Sequence, residues 1–442
     1  MSGAVATARV KLWGTQVGAV TWVEEQSLAY FQYDPDFIPS AIELSPLSMP
    51  LSDFPYSYPA LPWDAFKGLP GMLADVLPDK FGNRLIDAWL AEQGRLPNSF
   101  SPVERLCYVG TRGMGALEFY PIIENRSKRS LQVDLASLVE LANQVLNERL
   151  HLTGSLANDE GQHALEDILQ VGTSAGGARA KAVLAWHPET GEFRSGQIDA
   201  GAGFEHWLLK FDGVHNNRDK ELADPQGFGL IEFAYHKMAI EAGIAMSPCR
   251  IHREGGRSHF MTKRFDRFVG ESGHMDKFHM QSLAALQHYD FNDPTGYSYE
   301  QALLTIRELG LGTEALEEQF RRAVFNVLAR NQDDHVKNIA FLMDRSGSWT
   351  LSPAYDVTYS YNASGDWTSQ HQMSINGKRD NFKLDDLLEF GRAALIKPSK
   401  ARLIIKTVAQ AVEQWPDFAS ESGVSTEVAS SIAKTHRTTL LN

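Results

Sequence analysis

Eight consecutive residues, Asn331-Gln332-Asp333-Asp334-His335-Val336-Lys337-Asn338, put two carboxylates, an imidazole, an ammonium and two kinds of amide within reach of one another. A further carboxylate, Asp356, follows 18 residues after Asn338 in Leu351-Ser-Pro-Ala-Tyr-Asp356-Val357. The collection suits phosphoryl transfer, in which one Asp orients a hydroxyl while an Asn and an Asp hold divalent metal on phosphate oxygens. Asp333 is the candidate base, Asn338 and Asp356 are the candidate metal ligands, and Lys337 is a candidate to neutralise developing charge. Magnesium takes one or two carboxylates plus waters and substrate phosphates, so this short ligand list suffices. No second His or Cys stands at ligand spacing from His335, which argues against a transition-metal site and for a histidine that braces the loop. Asp334 has no assignable role. A solvated charged turn is the plain alternative, and the second acid in Pro353-Ala-Tyr-Asp356-Val weighs against it.

Three other stretches carry groups of the same chemistry. Gly172-Thr-Ser174-Ala175-Gly176-Gly177-Ala178-Arg-Ala-Lys181 lets backbone N–H groups approach phosphate oxygens closely. It is not a Walker A loop, since Ala178 stands where Lys is required, and no strand–GxGxxG–helix unit surrounds it. Lys210 ends an otherwise apolar strand and can act as a point charge on phosphates; the plain alternative is a lysine whose stem lies along apolar surface. Lys263-Arg264-Phe265-Asp266-Arg267 fits a hinge that offers backbone groups to adenine with Phe265 packed nearby. Its alternative is a charged strand exit with Asp266 paired to an arginine. In chain order these segments run Gly-rich loop, strand Lys, hinge, Asp-x4-Asn, metal Asp. That is the order of a protein-kinase fold, and Asp333 and Asn338 keep the register of its H-R-D-x-x-x-x-N loop.

The elements that must position these groups read as α+β. Strands are expected over Val10–Val17 and Ala19–Val23, separated by Gly18, and over Leu28–Tyr33 before the stop at Asp34-Pro35. Met72–Leu77 and Arg84–Leu90 read as helical around Pro78-Asp79, and Gly-rich 109–115 leads into a strand over Ala116–Tyr120. Helical spacing follows over Leu131–Leu150. Between 171 and 270 the pattern is short strands, Ala182–Trp186, His206–Phe211 and His259–Phe265, with one helix over Leu230–Ala242. Beyond 279 the chain is mostly helical. A helix over Glu314–Ala329 ends at the Asp333 loop, and Ile339–Met343 with Trp349–Leu351 form a hairpin that returns Asp356 beside Asn338. The expected division is 1–125, a β-rich N-terminal subdomain; 126–278, an N-lobe with the Gly-rich loop and Lys210; and 279–442, a helical C-lobe.

Bulk properties narrow the class. With 43% hydrophobic and 22% charged residues the chain is that of a soluble globular protein, and no apolar run approaches a membrane span. A net charge of −13 excludes a uniformly basic nucleic-acid coat, though not a DNA-binding partner. Only Cys107 and Cys249 are present, with no CxxC, so a reducing cytoplasm is the expected setting.

These residues resemble the HipA family, the kinase toxins of bacterial toxin–antitoxin modules. Asn331-x-Asp-x-His-x-Lys-Asn338, Leu351-Ser-Pro-Ala-Tyr-Asp-Val357, Arg264-Phe-Asp-Arg267 and the Ser174–Lys181 loop carry the resemblance. Tyr33-Asp-Pro35, Pro46-Leu-Ser-Met-Pro-Leu51, Leu77-Pro-Asp79, Gly113-Met-Gly-Ala-Leu-Glu118 and Gln372-Met-Ser-Ile-Asn-Gly-Lys378 extend it over nearly the whole chain. The resemblance implies a two-lobed protein-kinase-like fold and a serine/threonine kinase using ATP and Mg2+. Asp333 would be catalytic, assisted by Lys337; Asn338 and Asp356 would hold the metal. Lys210, Lys181, the 174–178 loop, the 263–265 segment and His335 would line the nucleotide. It also implies autophosphorylation of Ser174, a small helix-turn-helix antitoxin (HipB-like) through which operator DNA is reached, and a protein substrate such as an aminoacyl-tRNA synthetase. The chain departs from the pattern at Lys263, where many relatives carry Glu, and Thr173 offers a second hydroxyl beside Ser174. Two other readings stay open: a small-molecule kinase on the same fold, and a nucleotide-binding co-repressor without catalysis.

Overall fold

The computed structural model describes residues 5–96, 99–123, 180–197, 200–213, 227–270 and 275–441, with Leu135, Leu138, Val139 and Ala142. The first sheet is antiparallel in the order β3-β2-β1-β4, built from β1 (Thr7–Leu12), β2 (Thr15–Val23), β3 (Leu28–Tyr33) and β4 (Leu117–Tyr120). The β1–β2 turn is Trp13-Gly14, both at positive φ, as a two-residue hairpin with matching twist demands. Gly18 is therefore not the break the sequence suggested but lies inside β2. A Cβ there would meet the Gln32 carbonyl at 2.3 Å and the Phe31 ring at 2.7 Å, so glycine serves close approach of β3.

Among the described residues, four α-helices complete the subdomain: α1 (Trp63–Phe66), α2 (Gly71–Ala74), α3 (Lys80–Glu92) and α4 (Pro102–Val109). Asp79 caps α3, its Oδ1 accepting from the Gly82 N–H at 2.6 Å, and Ser101 with Glu104 forms a capping box on α4. The apolar face of α3 turns toward the next unit, whereas α4 packs Val103, Leu106, Cys107 and Val109 into the core of the first sheet and sends only Tyr108 the other way. Phe81, Leu85 and Tyr108 share one core with Ala182, Leu184, Leu209 and Met261, and with Leu135, Leu138, Val139 and Ala142. The remainder of the helix expected over 131–150 lies outside the described residues.

The second sheet is antiparallel in the order β6-β5-β7-β9-β8, with β5 (Lys181–Trp186), β6 (Phe193–Ser195), β7 (Glu205–Lys210), β8 (Cys249–Glu254) and β9 (Arg257–Lys263). β6 and β8 escape the sequence reading because one is three residues long and the other carries four charged or histidine side chains in six. Helix α5 (Phe228–Glu241) packs on β8 and β9. Two-stranded β10 (Arg267–Val269) and β11 (Met275–Lys277) lead out of this lobe.

The C-lobe holds a three-stranded sheet, β12 (His279–Ser282), β14 (Ala340–Met343) and β15 (Trp349–Leu351), and a short parallel pair, β13 (Tyr297–Ser298) with β16 (Met373–Ser374). The rest is helical: α6 (Leu283–Gln287), α7 (Tyr299–Glu308), α8 (Thr313–Ala329), α9 (Leu384–Ala393), α10 (Pro398–Glu413), α11 (Trp415–Ser422) and α12 (Thr426–Ala433). Phe320, Val324 and Leu328 of α8 centre the largest core, together with Phe390, Ile405 and Trp415. The fold is thus α+β and two-lobed in the manner of a protein kinase, with a β-rich subdomain in front. Among the described residues no helix is long and apolar enough to cross a membrane.

Candidate active site

Helix α8 ends at Arg330, whose left-handed φ of 58° stops the helix and turns the chain into the Asn331–Asn338 loop. The loop is held from inside. The Asn338 side-chain N–H donates to the Asp333 carbonyl at 2.8 Å, closing the five-residue register that the sequence displayed. His335 Nδ1 accepts from the Lys337 N–H at 3.2 Å, and its Nε2 lies 3.9 Å from Asp333 Oδ1, which makes it a brace. Asp333 keeps its carboxylate a third exposed, and the Trp367 indole N–H donates to Oδ1 at 3.1 Å.

The β14–β15 hairpin returns the chain to this loop as expected. Tyr355 donates its hydroxyl to the Lys337 carbonyl at 2.6 Å, tying the residue before Asp356 to the residue before Asn338. Asp356 itself has φ of 52°, in the left-handed region that Asp and Asn enter more readily than other residues with a side chain. Its Oδ1 is 2.5 Å from Lys210 Nζ, which is also 2.6 Å from Glu232 Oε1. Burial alone would raise the Asp356 carboxyl, but Lys210 and Lys181 outweigh it and hold the group at about 2. Burial works against the Lys210 ammonium too; Asp356 and Glu232 reverse this and raise it above its ordinary value. The pair is fully ionised at neutral pH.

Lys181 and Lys210 face each other across β5 and β7 as register partners. Lys181 is buried and lies 3.7 Å from Asp79 of the N-terminal subdomain. Lys337 stands over the Phe291 ring at 4.6 Å and 4.0 Å from Asp75. Three lysines thus converge on one region, each beside a carboxylate.

The hinge segment is different. Arg264 and Phe265 lie beyond the end of β9. Buried Asp266 accepts from Arg264 at 2.7 and 2.9 Å, from Arg267 at 2.7 Å and from the Gly115 N–H at 2.7 Å. Arg264 and Arg267 also donate to the Gly113 carbonyl, and Arg267 to that of Gly115. The Arg264 guanidinium is therefore engaged with the N-terminal subdomain, and its backbone N–H with the His206 carbonyl. Of the two readings offered for this segment, the side chains follow the second, Asp266 paired to arginine. Lys263 pairs with Glu205 at 2.6 Å, and the Phe265 ring sits 5.5 Å from that of Tyr355. Ser174, Ala175, Gly176, Gly177 and Ala178 lie outside the described residues.

The sequence reading missed Glu232 and left Asp79 and Asp334 without roles. Glu232 is the lone acid inside the apolar stretch Phe228–Ile240 of a helix buried on most sides, and a buried acid there demands a cation. Asp334 accepts from Tyr299 Oη at 2.7 Å, His371 Nδ1 at 2.7 Å and the Gln372 N–H at 2.8 Å.

Divalent metal fits these groups. Asn338 has its amide nitrogen committed to Asp333, which leaves the amide oxygen as a donor, and Asp356 is a carboxylate ionised throughout the physiological range. Both are hard oxygen ligands of the kind Mg2+ selects.

Two family models and two solved structures are similar to this chain. The model of the HipA N-terminal domain matches residues 8–120, and that of the HipA-like C-terminal domain matches residues 173–415. No curated protein matches the sequence. Among solved structures, the Shewanella oneidensis MR-1 toxin–antitoxin complex of HipA, HipB and operator DNA is similar at TM-score 0.67 and 17% identity, covering 98% of this chain and 96% of that one. The Helicobacter pylori proinflammatory kinase CtkA aligns at TM-score 0.34 and 12% identity, over 53% of this chain and 89% of that one.

Proposed function

This chain belongs to the HipA family, and from that premise we propose that it is an Mg-ATP-dependent serine/threonine protein kinase, the toxin of a toxin–antitoxin module. The observation that carries the reading is Lys210 held between Glu232 and Asp356, because a kinase needs its strand lysine paired with a helix glutamate and its metal aspartate in place together. Lys210 and Lys181 supply positive charge for phosphates from adjacent strands. Asp333, braced by Trp367 and His335, orients an acceptor hydroxyl and takes up its proton. Lys337, itself a residue of that loop, offsets charge that builds on the transferred group. Asn338 and Asp356 are the residues that would hold Mg2+, which when bound with ATP supplies neutralisation of phosphate charge.

Partner and substrate follow the family. A HipB-like helix-turn-helix antitoxin suits an acidic chain of net charge −13, since DNA would then be reached through a basic partner. An aminoacyl-tRNA synthetase is the proposed substrate class, and Ser174 the proposed autophosphorylation site. A phosphate on that loop would add nearly two negative charges where ATP phosphates dock, and so oppose nucleotide binding.

Expression without antitoxin is the first test: wild type should arrest growth and Asp333→Asn should not. Equal growth of the two strains rejects the toxin reading. In vitro, Asp333→Asn should lower transfer from γ-labelled ATP by about 10²- to 10⁴-fold, the range expected for loss of a positioned base. Intact-mass analysis should show one added phosphate in wild type and none in Ser174→Ala; persistence of the increment would move the site, with Thr173 the nearest candidate.

A further inference from the structure

Leu77-Pro-Asp79 is a motif of the N-terminal subdomain to which the kinase reading gives no task, and the structure brings its aspartate into the nucleotide region. Asp79 and Lys181 are both buried, with Oδ2 and Nζ 3.7 Å apart, although they belong to different subdomains. The carboxylate is not free to wander: Oδ1 is fixed by the Gly82 N–H at 2.6 Å as the cap of α3. The subdomain is fixed in turn. Arg264, Asp266 and Arg267 grip Gly113 and Gly115, and Asp75 accepts from the Ser282 N–H at 2.7 Å and its hydroxyl at 2.9 Å. Phe81 and Leu85, on the first two turns of the same helix, enter the core beneath β5 and β7.

Lys181 and Lys210 are direct cross-strand partners, and like charges in that relation repel. Lys210 has Glu232 and Asp356. Lys181 has Asp79. We propose that Asp79 is a positioning residue of the active site, holding the Lys181 ammonium in place and in its charged form beside Lys210 so that both can meet nucleotide phosphates. The N-terminal subdomain is then part of the kinase rather than an appendage to it, and Lys181 stands to Asp79 as Lys210 stands to Glu232. Burial pushes the Asp79 carboxyl up to about 6 and the Lys181 ammonium down, and the charge of each is the largest influence opposing that shift in the other.

This rests on the kinase reading, and the test separates the two. Calorimetric titration with the non-hydrolysable β,γ-imido analogue of ATP plus Mg2+ is made on the full chain: wild type, Asp79→Asn, Lys181→Met and the double variant. Asn caps helices as well as Asp does, so Asp79→Asn keeps the Gly82 bond on Oδ1 while the oxygen facing Lys181 becomes an NH2 that carries no charge and cannot accept from it. The expected result is binding about tenfold weaker for Asp79→Asn, with no further loss when it is added to Lys181→Met; in turnover, KM for ATP rises while kcat at saturation is nearly unchanged. Unchanged affinity in Asp79→Asn, tighter affinity, or an equal loss in the Lys181→Met background each overturns the proposal, the last by showing a merely structural effect. If wild type binds no analogue, the kinase reading fails first. Should Asp79→Asn not fold, Asp79→Glu takes its place under the same requirement, a changed affinity that vanishes in Lys181→Met.

Discussion

Asp334 sits next to the candidate base and does the opposite kind of work. It accepts three hydrogen bonds, from Tyr299, His371 and the Gln372 backbone, and is almost wholly buried. Arg437 lies 3.4 Å from His371 Nε2 and can only donate, which fixes that ring as the Nδ1–H tautomer that donates to Asp334. Burial would raise the Asp334 carboxyl, but His371 and the other donors hold it below the ordinary value, so it stays an anion with its lone pairs filled. The network joins α7, the Asn331–Asn338 loop and the segment before β16. Asp334→Asn puts an NH2 against one of three donors, and leaving buried donors unpaired should cost about 2–4 kcal/mol. We expect a lower urea midpoint and a kcat down at least tenfold, because Asp333 loses its neighbour's anchor, while affinity for Mg-ATP stays within about twofold. A variant with wild-type kcat would show that the loop holds its shape without this anchor.

At the scale of elements, the Arg264–Asp266–Arg267 cluster joins two subdomains by buried charge. Asp266 is held far below the usual carboxylate range because Arg264 and Arg267 outweigh its burial, whereas burial brings Arg267 down to about 9. Removing the acid leaves two guanidiniums buried without their anion, and that usually costs about 3–5 kcal/mol. Asp266→Ala should therefore loosen the N-terminal subdomain, read as faster proteolysis near 111–116 and an earlier unfolding step; unaltered proteolysis would mean the grip on Gly113 and Gly115 is dispensable. This cluster also marks where sequence reading stopped. Strongly periodic α8 and the β14–β15 hairpin were legible because each pattern admits one arrangement. The pairing of Asn338 with Asp333 was legible as a spacing. The pairing of Asp266 with an arginine was legible too, but Glu232, Asp79 and the grip of that cluster on Gly113 and Gly115 were not, because each finds its partners 22 to 154 residues away. Gly18 was misread for a related reason: its significance lies in Phe31 on the neighbouring strand, and locally a glycine between apolar runs looks like a turn.

At the scale of the whole molecule, six histidines among the described residues lie buried or half-buried in the two lobes and are depressed from 6.5 to about 4: His206, His236, His259, His279, His288 and His436. Burial is the largest cause in every case, joined by Arg264 and Arg267 at His206, Lys237 at His236 and Arg330 at His436. Two of the rings accept from backbone N–H groups, His259 from Asp212 and His288 from Gly71, both at 3.0 Å, and a protonated ring cannot accept. Each histidine is neutral when folded and returns to about 6.5 on unfolding, so between those values the unfolded chain binds more protons. Stability from these groups is therefore complete above about pH 6.5 and lost as pH falls toward 4. Asp79 works the other way, since its folded value of about 6 lies above its unfolded one, but it is one group against six. The depressed carboxylates Asp356, Asp334 and Asp266 contribute little to this window, because their protons are taken up near and below the unfolded carboxylate value. At 1.36 kcal/mol per unit, even a third of each histidine's depression amounts to roughly 1 kcal/mol. The melting temperature should then fall steadily from pH 6.5 to pH 4.5, with the loss reduced by changing His288 to Gln, which keeps an acceptor for Gly71 and cannot take a proton. A level or rising melting temperature over that interval would mean that these rings are already protonated in the folded protein.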